Sequence, residues 1–445
     1  MKAEEMFGKG SIWKAIAKMS IPAVVTMMVM VIYNMADMFF VGKTGDVSQI
    51  AAISLASPLY MLQTAVGTLL GGGGCAAISN ALGTKDFEKV KALSSACLVL
   101  VIGASVLMGG AILLFPDAIL QFLGVSAETW QYTKDYITVL AIGMFFMLFT
   151  NVFANIIRAE GAAKESMIGN GMGTILNIVL DPILILGMNM GVKGAAIATV
   201  IGNIAACIYY GRYISKSDSQ IVLSLKYALQ NPTAFGKVLF LGIPNAVSNL
   251  LSSLTGNISN HILVGYGTSA IVTVSVGGKA SMIVSMIVMG ICLGVQPVIA
   301  YNYGARNKAR TKEVLLKTGV VALGVGIVLT VGCYLLRTPI AEMFLSEESL
   351  VTESVHIMGI QMLTTAFLGI YYIGINFLQS AGNAIAATFL SVCRQGIIYV
   401  PAIFLMNYLV GLEGVYWVSV ICDGISIVMA VILLYRQMKI GFVNK

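Results

Sequence analysis

Four oxygen-bearing side chains, Asp37, Asn177, Asp181 and Thr199, interrupt stretches that are otherwise apolar. Carboxylate, amide and hydroxyl oxygens are the donors that suit a small hard cation, and a carboxylate also takes a proton. Asp37 stands in "NMADMFFVG" (34–42) with no charge between Lys18 and itself, and Asp181 closes "NIVLD" (177–181) ahead of Pro182. Asp37 lies about 7.5 Å below the segment end at Gly42, and Asp181 about 9 Å below Gly187, at 1.5 Å per helical residue. Thr199 lies about 12 Å into the next segment, which runs the other way. Asn177 is one turn from Asp181 on the same helix face. The four therefore reach similar depth. A carboxylate in an apolar slab costs about 2.5–3.5 kcal/mol even on the lenient insertion scale. No Lys or Arg of the N-terminal segments is placed to neutralise them, so an external cation, H⁺ or Na⁺, is the expected partner.

The elements that carry these groups are membrane helices. The 445 residues are 58% apolar and 11% charged, with a mean hydropathy of +0.89, against about 25% charged in soluble domains. Twelve apolar runs between 15 and 435 are long enough to span a bilayer. With both termini cytoplasmic, 21 of 27 Lys and Arg fall on the cytoplasmic side, so the +7 charge reports topology and not a nucleic-acid partner. The segment 1–20 reads as a retained amphipathic helix and not a signal peptide. Seven scattered cysteines without a C-x-x-C and two isolated histidines, His261 and His356, support no disulfide framework, zinc site or enzyme.

The chain also repeats itself. Pro22 pairs with Pro244, Gly83 with Gly304, Gly161 with Gly382, Pro182 with Pro401 and Gly191 with Gly411, at offsets between 219 and 222. Six spans per half give two parallel repeats, the plan of an alternating-access transporter. The expected division is 1–213 as the N-terminal lobe, 214–235 as a cytoplasmic linker and 236–445 as the C-terminal lobe. The repeat serves as a control: Ser259 stands opposite Asp37 and about Val400 opposite Asp181, so neither acid is a requirement of the fold.

Weaker signals complete the reading. Pro22 is a candidate hinge, with a static kink as the alternative. "GGGG" (71–74) permits close helix approach but lacks a phosphate loop's context. Lys279 and Arg394 either pair with an acid such as Asp423 or line a hydrated cavity. Tyr33, Asn34, Gln63, Asn151, Phe153 and Met289 are candidates for a cavity lined by aromatic, amide and Met side chains.

"NMADMFFVG", "IRAEGAAKESM" and "NIVLDP" in this twelve-span setting resemble the bacterial branch of the multidrug and toxic compound extrusion (MATE) family over essentially the whole chain. The resemblance implies two six-helix lobes in a V, working by alternating access as a cation-coupled antiporter. It implies an inner-membrane monomer that exports organic, often cationic compounds and needs no cofactor beyond the coupling Na⁺ or H⁺. It implies a cation site at Asp37, Asn177, Asp181 and Thr199. Some branches carry further acids in the C-terminal lobe. Here Ser252 stands near the first such place, and no Asp or Glu lies between Val355 and Leu378. The alternative is a flippase for a lipid-linked saccharide, which needs a cationic cavity.

Overall fold

The computed structural model describes residues 4–216 and 219–442, with residues 33–38 described as helical backbone only. The fold is all-α. In apolar surroundings every backbone N–H and C=O must bond within its own segment, and these sequences answer with long helices. We number the membrane helices α1 (Ile12–Gly42), α2 (Val47–Gly83), α3 (Phe87–Leu114), α4 (Trp130–Ala159), α5 (Ala163–Gly187), α6 (Gly191–Ile214), α7 (Thr233–Val264), α8 (Thr268–Gly304), α9 (Lys308–Leu335), α10 (Glu348–Thr365 with Leu368–Ser380), α11 (Ala384–Val410) and α12 (Leu412–Ile440). Among the described residues eleven are long and apolar enough to cross a bilayer, and the two parts of α10, bent by 44° at their break, make a twelfth when taken together. The first residues depart from a single amphipathic helix: a π-helical turn, Glu4–Lys9, precedes α1, and Phe7 is fully buried.

The repeat is visible in the turns. Lys85 and Arg306 share a left-handed backbone, with φ of 58° and 56°, and the next residues, Asp86 and Asn307, cap α3 and α9. Gly161 and Gly382 have φ of 89° and 82°, and Gly191 and Gly411 have 54° and 70°. Glycine enters this region without the penalty that a Cβ brings.

The chain forms two compact units, and each takes part of its first helix from the opposite half of the sequence. The first comprises Met1–Lys9 and Val25–Gly242; the second comprises Gly10–Val24 and Ile243–Lys445. The breaks fall inside the continuous helices α1 and α7, next to Pro22 and Pro244. Repeated glycines seat the exchanged segments. A Cβ on Gly294 of α8 would stand 2.6 Å from the Met19 carbonyl oxygen, and one on Gly73 of α2 would stand 2.0 Å from that of Val238. This gives the third residue of "GGGG" a packing role.

Within the first unit, residues 219–224 are strapped to the helix ends. Ser94 Oγ both accepts from Val222 N and donates to Val222 O, each at 3.1 Å, and Ser95 Oγ donates to Val222 O at 2.8 Å. Glu160, just past α4, is buried and accepts from Ser219 Oγ at 2.9 Å, Tyr213 Oη at 3.3 Å and the Gln220 N–H. Burial pushes its carboxyl above 4.5, while these donors pull it down.

Candidate functional site

In the first unit, glycines bring α5 and α6 together backbone to backbone. A Cβ on Gly202 would stand 2.4 Å from the Gly173 carbonyl oxygen and 3.4 Å from Asn177 Cβ. No larger residue permits that approach, and it sets Asn177 against α6. Asn177 and Asp181 are buried, and Thr199 nearly so. Asn177 Nδ2 donates to Thr199 Oγ1 at 3.3 Å, while Asn177 Oδ1 is buried with no hydrogen-bond partner among the described residues. Asp181 is the last α-helical residue of α5 before the π-helical stretch Pro182–Gly187. π turns are frequent at functional positions.

The polar cluster extends beyond the sequence-derived residues. Asn203 Nδ2 donates to the Thr199 carbonyl at 2.8 Å, and Thr150 Oγ1 of α4 donates to the Asn203 carbonyl at 3.2 Å. Neither residue was flagged by the sequence. Asn203 lies one helical turn past Thr199 on the same face, the signal that would have found it.

Of the remaining expected residues, the side chains of Asp37, Tyr33 and Asn34 lie outside the described residues. Gln63 lines a small hollow with Tyr60, Ile112, Ile137, Met144 and Met147. Asn151 fits instead against the bare backbone of Gly67, and Phe153 is fully buried and stacked on Phe149 at 4.2 Å. Met289 is half-buried on α8, and Pro22 lies inside a continuous helix. Among the described residues no group of three His, Cys, Asp or Glu is close enough to hold a metal.

The second unit answers the question left open about Arg394. Its Nε donates to Asp423 Oδ1 at 2.7 Å, and Thr364 Oγ1 donates to Asp423 Oδ2 at 3.3 Å. The guanidinium lies over the Tyr371 ring, 4.9 Å from its centre. Arg394 sits in the π-helical turn Cys393–Ile397 of α11, and Thr364 and Tyr371 flank the break in α10. Lys279 is exposed and belongs to no ion pair among the described residues.

Comparison with known proteins agrees with this architecture. The MatE family model matches twice, over 22–183 and 244–405, one copy in each repeat. The multidrug export protein MepA of Staphylococcus aureus (strain MRSA252) is 32% identical over 438 residues, which cover 98% of this chain and 96% of the relative. The MepA protein of Staphylococcus saprophyticus is 32% identical over 444 residues with the same coverage. A multidrug resistance MATE family transporter of the MOP superfamily, solved outward-facing, superposes with a TM-score of 0.92 at 23% identity over 99% of both chains. A MOP superfamily transporter from Pyrococcus furiosus gives 0.91 at the same identity and coverage.

Proposed function

Because the chain belongs to the MatE family, whose model fits both of its repeats, we propose that this membrane-embedded protein is an alternating-access exporter of diverse, often cationic amphipathic compounds. Its export is coupled to inward Na⁺ or H⁺, with 1–213 and 236–445 as lobes, 214–235 as linker and both termini cytoplasmic. It works as a monomer and is a transporter, not an enzyme. The observation that carries the coupling reading is the buried set of Asn177, Asp181 and Thr199, in which the amide oxygen of Asn177 has no hydrogen-bond partner among the described residues. Amide, carboxylate and hydroxyl oxygens with a spare lone pair fit a hard monocation, and Asp37 on α1 is the fourth group we assign to that set.

In this mechanism the chain holds the ion by oxygens of α5 and α6, and the ion's presence alters how those helices pack. Coupling requires that ion and exported compound prefer different access states, and the linkage is reciprocal. Competition for one set of carboxylates is its simplest form. The flippase alternative loses ground, because Arg394, one of two basic residues that would serve a pyrophosphate, is already held by Asp423.

The test is transport in proteoliposomes with independently imposed Na⁺ and pH gradients. Asp181→Asn and Asp37→Asn are expected to reach the membrane and lose gradient-driven export. Wild-type rates in both variants under both gradients would overturn the reading.

A further inference from the structure

The Arg394–Asp423 pair is buried, charged and unused by the mechanism above. Arg394 lies ten residues past the start of α11, and Asp423 eleven past the start of α12, so each is about 15 Å deep. That is near the middle of a ~30 Å slab. Three buried hydroxyls lie on the helices that form the pair's surroundings, α10, α11 and α12. Tyr371 Oη faces Arg394 and Ser391, and Ser391 is one turn before Arg394, as Ser426 is one turn after Asp423. Tyr371, Ser391 and Ser426 are at most 1% exposed, and the Ser426 hydroxyl has no hydrogen-bond partner among the described residues. Buried polar atoms are nearly always paired, so an orphan hydroxyl one turn from Asp423 requires an explanation.

We propose that Asp423, with the rings of Tyr371 and Tyr372, is a second binding site for a lipophilic organic cation, and that Arg394 is its tethered occupant, which the ligand displaces. The identity of the ligand rests on the exporter reading. A carboxylate beside aromatic faces is the chemistry that recognises an organic cation, and Arg394 already satisfies both elements, through Nε on Asp423 and its plane over Tyr371. Binding without displacement would leave two cations on one carboxylate. Displacement needs somewhere for the guanidinium N–H groups to go, and the oxygens of Tyr371, Ser391 and Ser426 are the acceptors this proposal assigns to them. This second position lacks a counter-charge, so the guanidinium returns to Asp423 and expels the ligand. The pair keeps 17% and 10% side-chain exposure, an open edge for entry. The break in α10 and the π turn in α11 mark the place further, since interrupted membrane helices line binding sites.

The experiment is equilibrium binding of radiolabelled tetraphenylphosphonium, a cation with no hydrogen-bonding group, to the purified full-length protein in detergent without any gradient. Arg394→Gln is expected to tighten binding at least tenfold. Asp423→Asn, with Arg394 in place, is expected to weaken it at least tenfold. The charge-neutral double variant is expected to bind no better than wild type. Ser391→Ala with Ser426→Ala removes the second position at little risk to the fold and is expected to weaken binding several-fold. Unchanged affinity in that serine variant, or no tightening in a folded Arg394→Gln protein, overturns the proposal. Those failures alongside lost gradient-driven export in Asp181→Asn would leave the exporter reading standing. The expected binding changes alongside undiminished export in Asp181→Asn would break the coupling reading alone.

Discussion

The α5–α6 and α11–α12 pairs occupy the same place in the two repeats and solve the problem of buried charge in opposite ways. Twelve residues past the paired glycines Gly161 and Gly382 stand Gly173 and Arg394, and twelve past Gly191 and Gly411 stand Asn203 and Asp423. In the first unit the helices meet through bare backbone at Gly173 and Gly202, and the acid sits further along at Asp181. In the second, a guanidinium and a carboxylate fill that level and neutralise each other. Duplication reproduced the turns and caps, while the chemistry diverged in the few side chains between them. On the coupling proposal one copy takes a cation from outside, while the other carries its own.

The comparison can be broken most directly at its acids. Asp181→Asn is expected to abolish gradient-driven export, whereas Asp423→Asn slows export through weaker binding but leaves it driven by the gradients; loss of the gradient dependence of proteoliposome flux in both would erase the distinction. Next in size is the ion pair itself. Arg394→Ala strands a buried carboxylate and is expected to cost about 3–5 kcal/mol, while Arg394→Gln with Asp423→Asn costs far less. Thermal unfolding in detergent reads the difference, and a double variant as unstable as the single one would refute it. The glycine contact ranks third: Gly202→Ala forces α5 and α6 apart against backbone and is expected to cost about 1–3 kcal/mol. Because it also pushes Asn177 from Thr199, ion affinity should fall with stability, measured by Na⁺-dependent thermal shifts.

The smallest effect belongs to the Glu160 strap. Its carboxyl is raised by burial above 4.5. Its contribution is therefore fully present below that value and is lost as pH rises through the raised one. Glu160→Gln is expected to flatten this pH dependence. Hydrogen exchange of residues 219–224, corrected for the intrinsic pH dependence of amide exchange, is the measurement.

Much of this was legible without coordinates. The turn residues Gly161, Gly382, Gly191 and Gly411 announce the repeat because their backbone conformation tolerates few residue types. Asn177, Asp181 and Thr199 stand out because polarity in an apolar run is costly. The Arg394–Asp423 pairing was only one of two options, since a side chain's partner across helices depends on rotation and depth that spacing leaves open. Asn203 and Glu160 escaped for a different reason: a polar residue near a helix end or on a helical face has no distinctive cost until burial is known. The exchange of first-helix segments was invisible, because α1 and α7 read as uninterrupted helices whichever unit receives them.

That exchange has a consequence for how the protein is made. Residues 10–24 emerge early in synthesis, yet the unit they complete begins again only at Ile243. The unit encoded first remains without its last piece until Gly242 has been delivered. During translation neither half can close on its own helices, so the membrane must harbour an unfinished first half until more than half of the chain is made. Separately expressed halves cut in the linker would each lack a segment held by the other.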